Sequence, residues 1–514
     1  MEKDTTHPQI TARQILSLAM IVGCIVVALS VIFPIVQYRD SANVYTYMAK
    51  MLRDGAYNVA FHPDIPSLNV LLSYPLTFVG VAPETAMILI SGLFYLGTIP
   101  MLYFVLNRFI SSRLSAFGAL LFAAAPKVIC FSCTGLIDSG KVFFLTMSLL
   151  FAYKFIDGKF RSYKDAALFG VGLGGLCLAR SEGIANSVVM IGCVGCVWLY
   201  NILKNKKIAT FSHIALTLSI WIVFIFSRML VFYCVFGEFI YDSRMTKFMS
   251  SFFKRGTAQA APQTVAVSEG VGNSTTILRV ILQNVRGAYE PYFAVAVLGI
   301  LLILALRSAR LKNHLWKDEW NLSVWQWRAQ YWLMLIVIIS NILIFKMVGV
   351  CAYRYFLLNI PMLMVFTLGG AYWLWLWLGH FAPRSSKPLA IALCAFILIA
   401  QVVNGEGHQF SKKSWQKYRT GVEAGRIIRQ ENPNAKVWYI YASVEWYYTG
   451  TEKALEWGAK TPDAATFADF DYCLWKSDER FADIIAARQD LEEIPLPPKS
   501  TAKLYRKLAM SNEQ

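Results

Sequence analysis

The chain has 514 residues, 56% of them hydrophobic and only 16% charged, a balance suited to solvation by lipid and unlike that of a soluble multidomain enzyme. Its formal charge is +17, yet the basic residues lie mostly in short linkers between apolar blocks. No single basic, aromatic-interleaved surface results, which argues against a nucleic-acid binder.

In chain order the apolar blocks fall at about 15–36, 84–106, 114–132, 141–156, 166–179, 184–203, 211–236, 289–306, 329–349, 355–379 and 388–404. Several reach the ~20 residues needed to cross a hydrocarbon core of roughly 30 Å. In lipid every backbone polar group must be paired within the segment, so these blocks are predicted to be α-helices. The expected fold class is an α-helical polytopic membrane protein of about eleven spans, residues 1–404, followed by a small soluble α/β domain, residues 405–514. The first block lacks a small-residue cleavage site and reads as a retained span. The third to fifth blocks are short or broken by Pro126, Lys127 and several glycines, so tilted or re-entrant pieces are expected there.

Lys and Arg set the orientation. With the N-terminus cytoplasmic, the inner linkers hold 18 Lys/Arg in 67 residues and the outer ones 14 in 127. The denser inner charge favours that orientation and places the loops 37–83 and 237–287, and the C-terminal domain, outside. In that domain residues 436–441 and 471–475 read as strands and residues 422–428 as part of an amphipathic helix. The ten cysteines are scattered. Cys130 and Cys133 form a lone C-x-x-C with no second pair or nearby His, which reads as small apolar filler.

Four polar clusters share the outer side of this topology. Asp40 follows the first span and precedes an amphipathic stretch with Val44, Met48 and Met51 on one face, the pattern of a helix lying along the interface. Capping that helix is the structural alternative for Asp40. Asp138 stands between the third and fourth blocks; Arg180-Ser181-Glu182-Gly183 separates the fifth and sixth; Arg354 and Tyr355 open the tenth, with Lys346 before them. Charges near a bilayer core are costly, so clusters converging on one level point to a site. Snorkelling and an Arg180–Glu182 structural pair are the alternatives for single residues. Arg244, in the long outer loop, suits an anionic headgroup, with a solvated charged loop as the alternative.

Taken in order, these residues resemble the GT-C glycosyltransferases, particularly bacterial relatives of the protein O-mannosyltransferases and of the transferase that adds aminoarabinose to lipid A. The resemblance covers roughly residues 10–370. It implies transfer of a sugar from a polyprenyl-phosphate carrier to a glycan, lipid or protein acceptor at the outer face of a bacterial plasma membrane, usually with inversion. Asp40 then corresponds to the catalytic acid of the first outer loop and Asp138 to the second acidic position. Arg354, Arg244 and Lys346 become candidates for the carrier phosphate, with Arg180, Glu182 and Tyr355 supporting. One departure stands out: family members often have Asp-Glu where this chain has Asp40-Ser41, so roles shared by that pair lack their second carboxylate.

The chemistry fits these residue types. A carboxylate accepts the proton of the attacking hydroxyl, and Arg holds the developing phosphate charge without requiring a metal. The expectation is therefore of no cofactor, with a divalent metal left open. A transporter or flippase for a lipid-linked sugar is the alternative function. Transporters, however, favour ionisable residues at the midplane of broken helices in related halves, whereas here the acids lie at span ends.

Overall fold

The structure is a computed structural model that describes residues 11–34, 40–62, 65, 68–205, 211–239, 296–297, 324–348, 353–368, 371, 412–440, 442–455, 470–476, 485 and 488–508. The block expected at 388–404, most of the block at 289–306 and of the loop 237–287, and the 404/405 domain boundary lie outside these residues.

The bundle begins with α1 (Ala12–Ile32), opened by a capping box in which Thr11 and Gln14 satisfy each other's backbone donors. A π-helical segment, Ser41–Thr46, runs into α2 (Tyr47–Arg53), followed by the short α3 (Tyr57–Ala60) and α4 (Leu68–Phe78). Next come α5 (Pro83–Leu106), α6 (Ser112–Ala124), α7 (Pro126–Ser132), α8 (Asp138–Asp157), α9 (Tyr163–Ala179), α10 (Gly183–Asn205) and α11 (Phe211–Phe236). Further helix spans Val324–Val348, and a 3-10 segment, Tyr353–Asn359, continues as helix to Leu368. Among the described residues, five helices are long and apolar enough to cross a membrane, or six if α6 and α7 count as one span. These two meet at a 59° bend. Pro126 lacks the N–H that would continue the α6 ladder, so the break expected from the sequence falls at this residue.

Outward-facing Ile21, Ile25, Ile222, Val223 and Phe226 leave α1 and α11 with apolar surfaces suited to lipid. The helix at the centre is α8, buried along most of its length. It can be surrounded closely because α9 carries small residues at its contacts. A Cβ on Gly172 would lie 2.6 Å from Ser148 Oγ, and one on Gly175 only 2.2 Å from the Phe144 ring. Lipid provides little hydrophobic force between helices, so backbone approach through glycine is what gains packing energy here.

Beyond the bundle the described residues form a five-stranded mixed sheet made of β1 (Lys436–Ile440), β2 (Glu452–Leu455), β3 (Tyr472–Trp475), β4 (Leu491–Ile494) and β5 (Lys503–Lys507). The order is β2-β1-β3-β5-β4, with β1 parallel to β2 and β3, and β5 antiparallel to β3 and β4. The helix Lys412–Glu431 packs on the sheet through Ala424 and Ile428, against Val437, Tyr439 and Leu474. The short helix Ser443–Thr449 packs the sheet region against the bundle. Its Val444 meets Ala42, Trp446 lies 5.9 Å from the Tyr47 ring, and Tyr447 Oη donates to Glu84 Oε2 at 2.7 Å.

Candidate active site

The site is built from chain turns at one end of the bundle. Asp40 occupies the N-cap position of the π-helical segment, in αR conformation, and its side chain makes no capping hydrogen bond. The capping alternative is thereby set aside. Insertion of a π-turn is costly and recurs at functional sites. Of the expected apolar face, Met48 is buried and Val44 and Met51 are half-buried, while Tyr45, Ala49 and Leu52 are buried beside them. The helix Ser443–Thr449 also packs on this segment, through Val444 against Ala42 and Trp446 beside Tyr47.

Residues 133–137 connect α7 to α8 and pack directly against the Asp40 segment. Ser41 Oγ donates to the Thr134 carbonyl at 2.6 Å, and both residues are fully buried. Ser91 Oγ donates to the Leu136 carbonyl at 2.7 Å, with Asn69 Nδ2 at 3.5 Å from the same oxygen. Gly135 has φ +74°, a left-handed conformation that glycine adopts without penalty.

Asp138 is the first residue of α8, where the helix N-terminus favours a carboxylate. Only 3% exposed, it lies 3.9 Å from Arg180 Nη1. Arg180 also donates to Glu182 through Nε at 3.3 Å and Nη2 at 3.2 Å. Burial alone would raise the Glu182 carboxyl, but the Arg180 guanidinium and the Lys141 ammonium outweigh it and hold the group down at about 2. The turn 180–182 is tight because α10 starts against the end of α9: a Cβ on Gly183 would lie 2.0 Å from the Leu176 carbonyl oxygen.

Asp138, Arg180 and Glu182 are thus brought together, and the Asp40 segment is hydrogen-bonded to the loop that delivers Asp138. Arg244 lies outside the described residues. For Lys346, in the helix Val324–Val348, and for Arg354 and Tyr355, in the 3-10 segment, only the backbone is described. Sequence reasoning passed over Lys141, buried one turn along α8 from Asp138; an i, i+3 partner was the available signal. It also passed over Asn186, fully buried in the first turn of α10, and Arg228, a buried charge in the otherwise apolar α11. A lone charge inside a span was the signal for Arg228.

Several buried polar atoms here have no hydrogen-bond partner among the described residues: Asp138 Oδ2, Ser139 Oγ and both amide atoms of Asn186. Each such atom costs about 1–3 kcal/mol unless something pairs with it, which makes this end of the bundle receptive to a polar ligand. Among the described residues no group of three or more His, Cys, Asp or Glu side chains is gathered as a metal site.

No protein-family model and no curated protein sequence matches the chain. Solved structures do. ArnT from Cupriavidus metallidurans bound to undecaprenyl phosphate superposes with a TM-score of 0.61 at 14% identity, over 96% of this chain and 98% of that one. The chain has the GT-C fold. The oligosaccharyltransferase of Archaeoglobus fulgidus in its apo form gives a TM-score of 0.56 at 11% identity, over 93% of this chain and 71% of that one. The GT-C likeness extends through the C-terminal sheet, since the alignment with ArnT spans nearly the whole of both chains. Multi-pass membrane architecture goes with this fold and with the apolar helices.

Proposed function

We propose that this protein is a glycosyltransferase that takes a sugar from a polyprenyl-phosphate carrier at the outer face of a bacterial plasma membrane and passes it to an acceptor hydroxyl with inversion. The observation that carries this reading is the charged, buried cluster of Asp138, Arg180 and Glu182 at one end of an apolar bundle, tied by Ser41 to the segment bearing Asp40. Similarity to ArnT, whose structure holds undecaprenyl phosphate, supports a lipid carrier.

In the proposed step the acceptor oxygen attacks C1 of the sugar as its proton passes to the Asp40 carboxylate. The bond from C1 to the phosphate oxygen breaks, and its electron pair leaves with polyprenyl phosphate. Attack from the face opposite the leaving group inverts C1. Asp40 suits the base because its side chain is not committed to the helix cap and is only partly buried. Asp138, buried and ion-paired, suits holding sugar hydroxyls through its unpaired Oδ2. Arg354, Arg244 and Lys346 are proposed for the carrier phosphate, where cations stabilise the developing charge, with Tyr355 in a supporting role.

The test is reconstitution of the full chain with a panel of undecaprenyl-phosphate-linked pentoses and hexoses and a bacterial envelope extract as acceptor. Release of undecaprenyl phosphate, read by mass spectrometry, is expected for at least one donor. Movement of intact donor between leaflets with no release would favour the transporter instead.

A further inference from the structure

We propose that Ser41 is a positioning residue that holds the Asp40 segment and the Asp138 loop in one register; this rests on the roles proposed for those two acids. Ser41 directly follows Asp40, and its hydroxyl donates to the carbonyl of Thr134, 93 residues away in sequence. Asp138 begins α8 four residues after Thr134. The bond is short, at 2.6 Å, and fully buried, so water does not compete for either partner.

The approach is closed from the other side as well. A Cβ on Gly135 would lie 2.9 Å from Ser41 Oγ and 3.5 Å from Met87 Cβ, and the left-handed φ of +74° already disfavours any other residue. The two segments therefore touch through a hydroxyl on one side and a bare backbone on the other. The Leu136 carbonyl is held by a different donor, Ser91 of α5, with Asn69 Nδ2 3.5 Å from the same oxygen. Ser91 anchors the Asp138 loop to the bundle, whereas Ser41 anchors it to the base. Loss of Ser41 Oγ leaves a buried carbonyl unpaired and lets the two acids drift relative to each other while each remains in place on its own element.

This division gives the test. Displacement of reacting groups by about 1 Å costs on the order of a hundredfold in rate. With the donor that the full chain turns over, Ser41→Ala should lower kcat by about that factor while the KM for donor changes less than about threefold. Ser41→Thr, which keeps the hydroxyl, should recover most of the loss; Ser41→Cys, a weaker donor of similar size, should fall between and serves if Ser41→Ala does not fold. Hydrogen exchange of the full chain in nanodiscs should rise in both residues 40–46 and 133–138 for Ser41→Ala, but only in 133–138 for Ser91→Ala. Wild-type kcat in Ser41→Ala and Ser41→Cys, with Asp40→Asn inactive, would overturn the positioning role and leave the proposed reaction standing. Full turnover in Asp40→Asn would instead overturn the reaction on which the role rests.

Discussion

Asp138 and Glu182 share one guanidinium. Without Arg180, a buried carboxylate on α8 and a partly buried one in the 180–182 turn face each other with Lys141 as the neighbouring cation. Breaking a buried pair by removing one partner typically costs about 3–5 kcal/mol, because the remaining charge is stranded. Arg180→Ala is therefore expected to lower the unfolding temperature of the detergent-solubilised protein markedly, with Arg180→Lys losing less. The same cluster sets a pH dependence. The Glu182 carboxyl falls from its ordinary 4.5 to about 2 in the fold. A depressed pKa contributes stability that is present in full above 4.5 and lost as pH falls toward 2. Thermal unfolding followed between pH 7 and pH 3 should be flat on this account down to about pH 5 and decline below it, and Glu182→Gln should flatten the acid decline. At this scale the charged residues were legible, because a charge beside an apolar block is conspicuous. Ser41 was visible only as a departure from an expected carboxylate. Nothing in the sequence distinguishes a serine donating across 93 residues from any other serine, since its partner is a backbone carbonyl. Asn186 was missed for a similar reason.

Among the elements, the helices α1, α5, α8, α10 and α11 follow the apolar blocks closely, since lipid leaves the backbone no other way to pair. Break and contact were harder to place. Pro126 signalled an interruption, but its 59° geometry depends on what α7 packs against. The helix α4 was not read at all: it is only 11 residues long with Pro75 inside it, too short to register as a span. The π-turn at Ser41–Thr46 has no sequence signature of its own. Gly183 was part of a recognised turn, and its reason is now steric. Gly183→Ala sets a methyl 2.0 Å from the Leu176 carbonyl, so the start of α10 must shift. A loss of about 1–3 kcal/mol is expected, as for overpacked cores, together with reduced turnover from displacement of Arg180. A denaturation curve and a rate measured on the same preparation check both.

At the scale of the whole molecule, the C-terminal sheet region is docked onto the bundle at the segment that follows Asp40. Its Ser443–Thr449 helix contributes Val444 against Ala42, Trp446 beside Tyr47, and the Tyr447 hydrogen bond to Glu84 at the start of α5. Composition announced a separate domain; only the fold shows that it buttresses the segment carrying Asp40. Hydrogen bonds to charged groups contribute roughly 1.5–3 kcal/mol, so a double-mutant cycle of Glu84→Gln and Tyr447→Phe, read by unfolding temperature, should show positive coupling, with the double variant little worse than either single one. The central claim concerns Asp40, the partly buried acid at the start of the segment on which the C-terminal part of the molecule packs. The direct measurement is turnover of an accepted undecaprenyl-phosphate sugar by Asp40→Asn in nanodiscs, alongside its unfolding temperature. A folded variant with release of undecaprenyl phosphate reduced by about a thousandfold, the middle of the range for losing a general base, is the predicted result. Full turnover by that variant would contradict it.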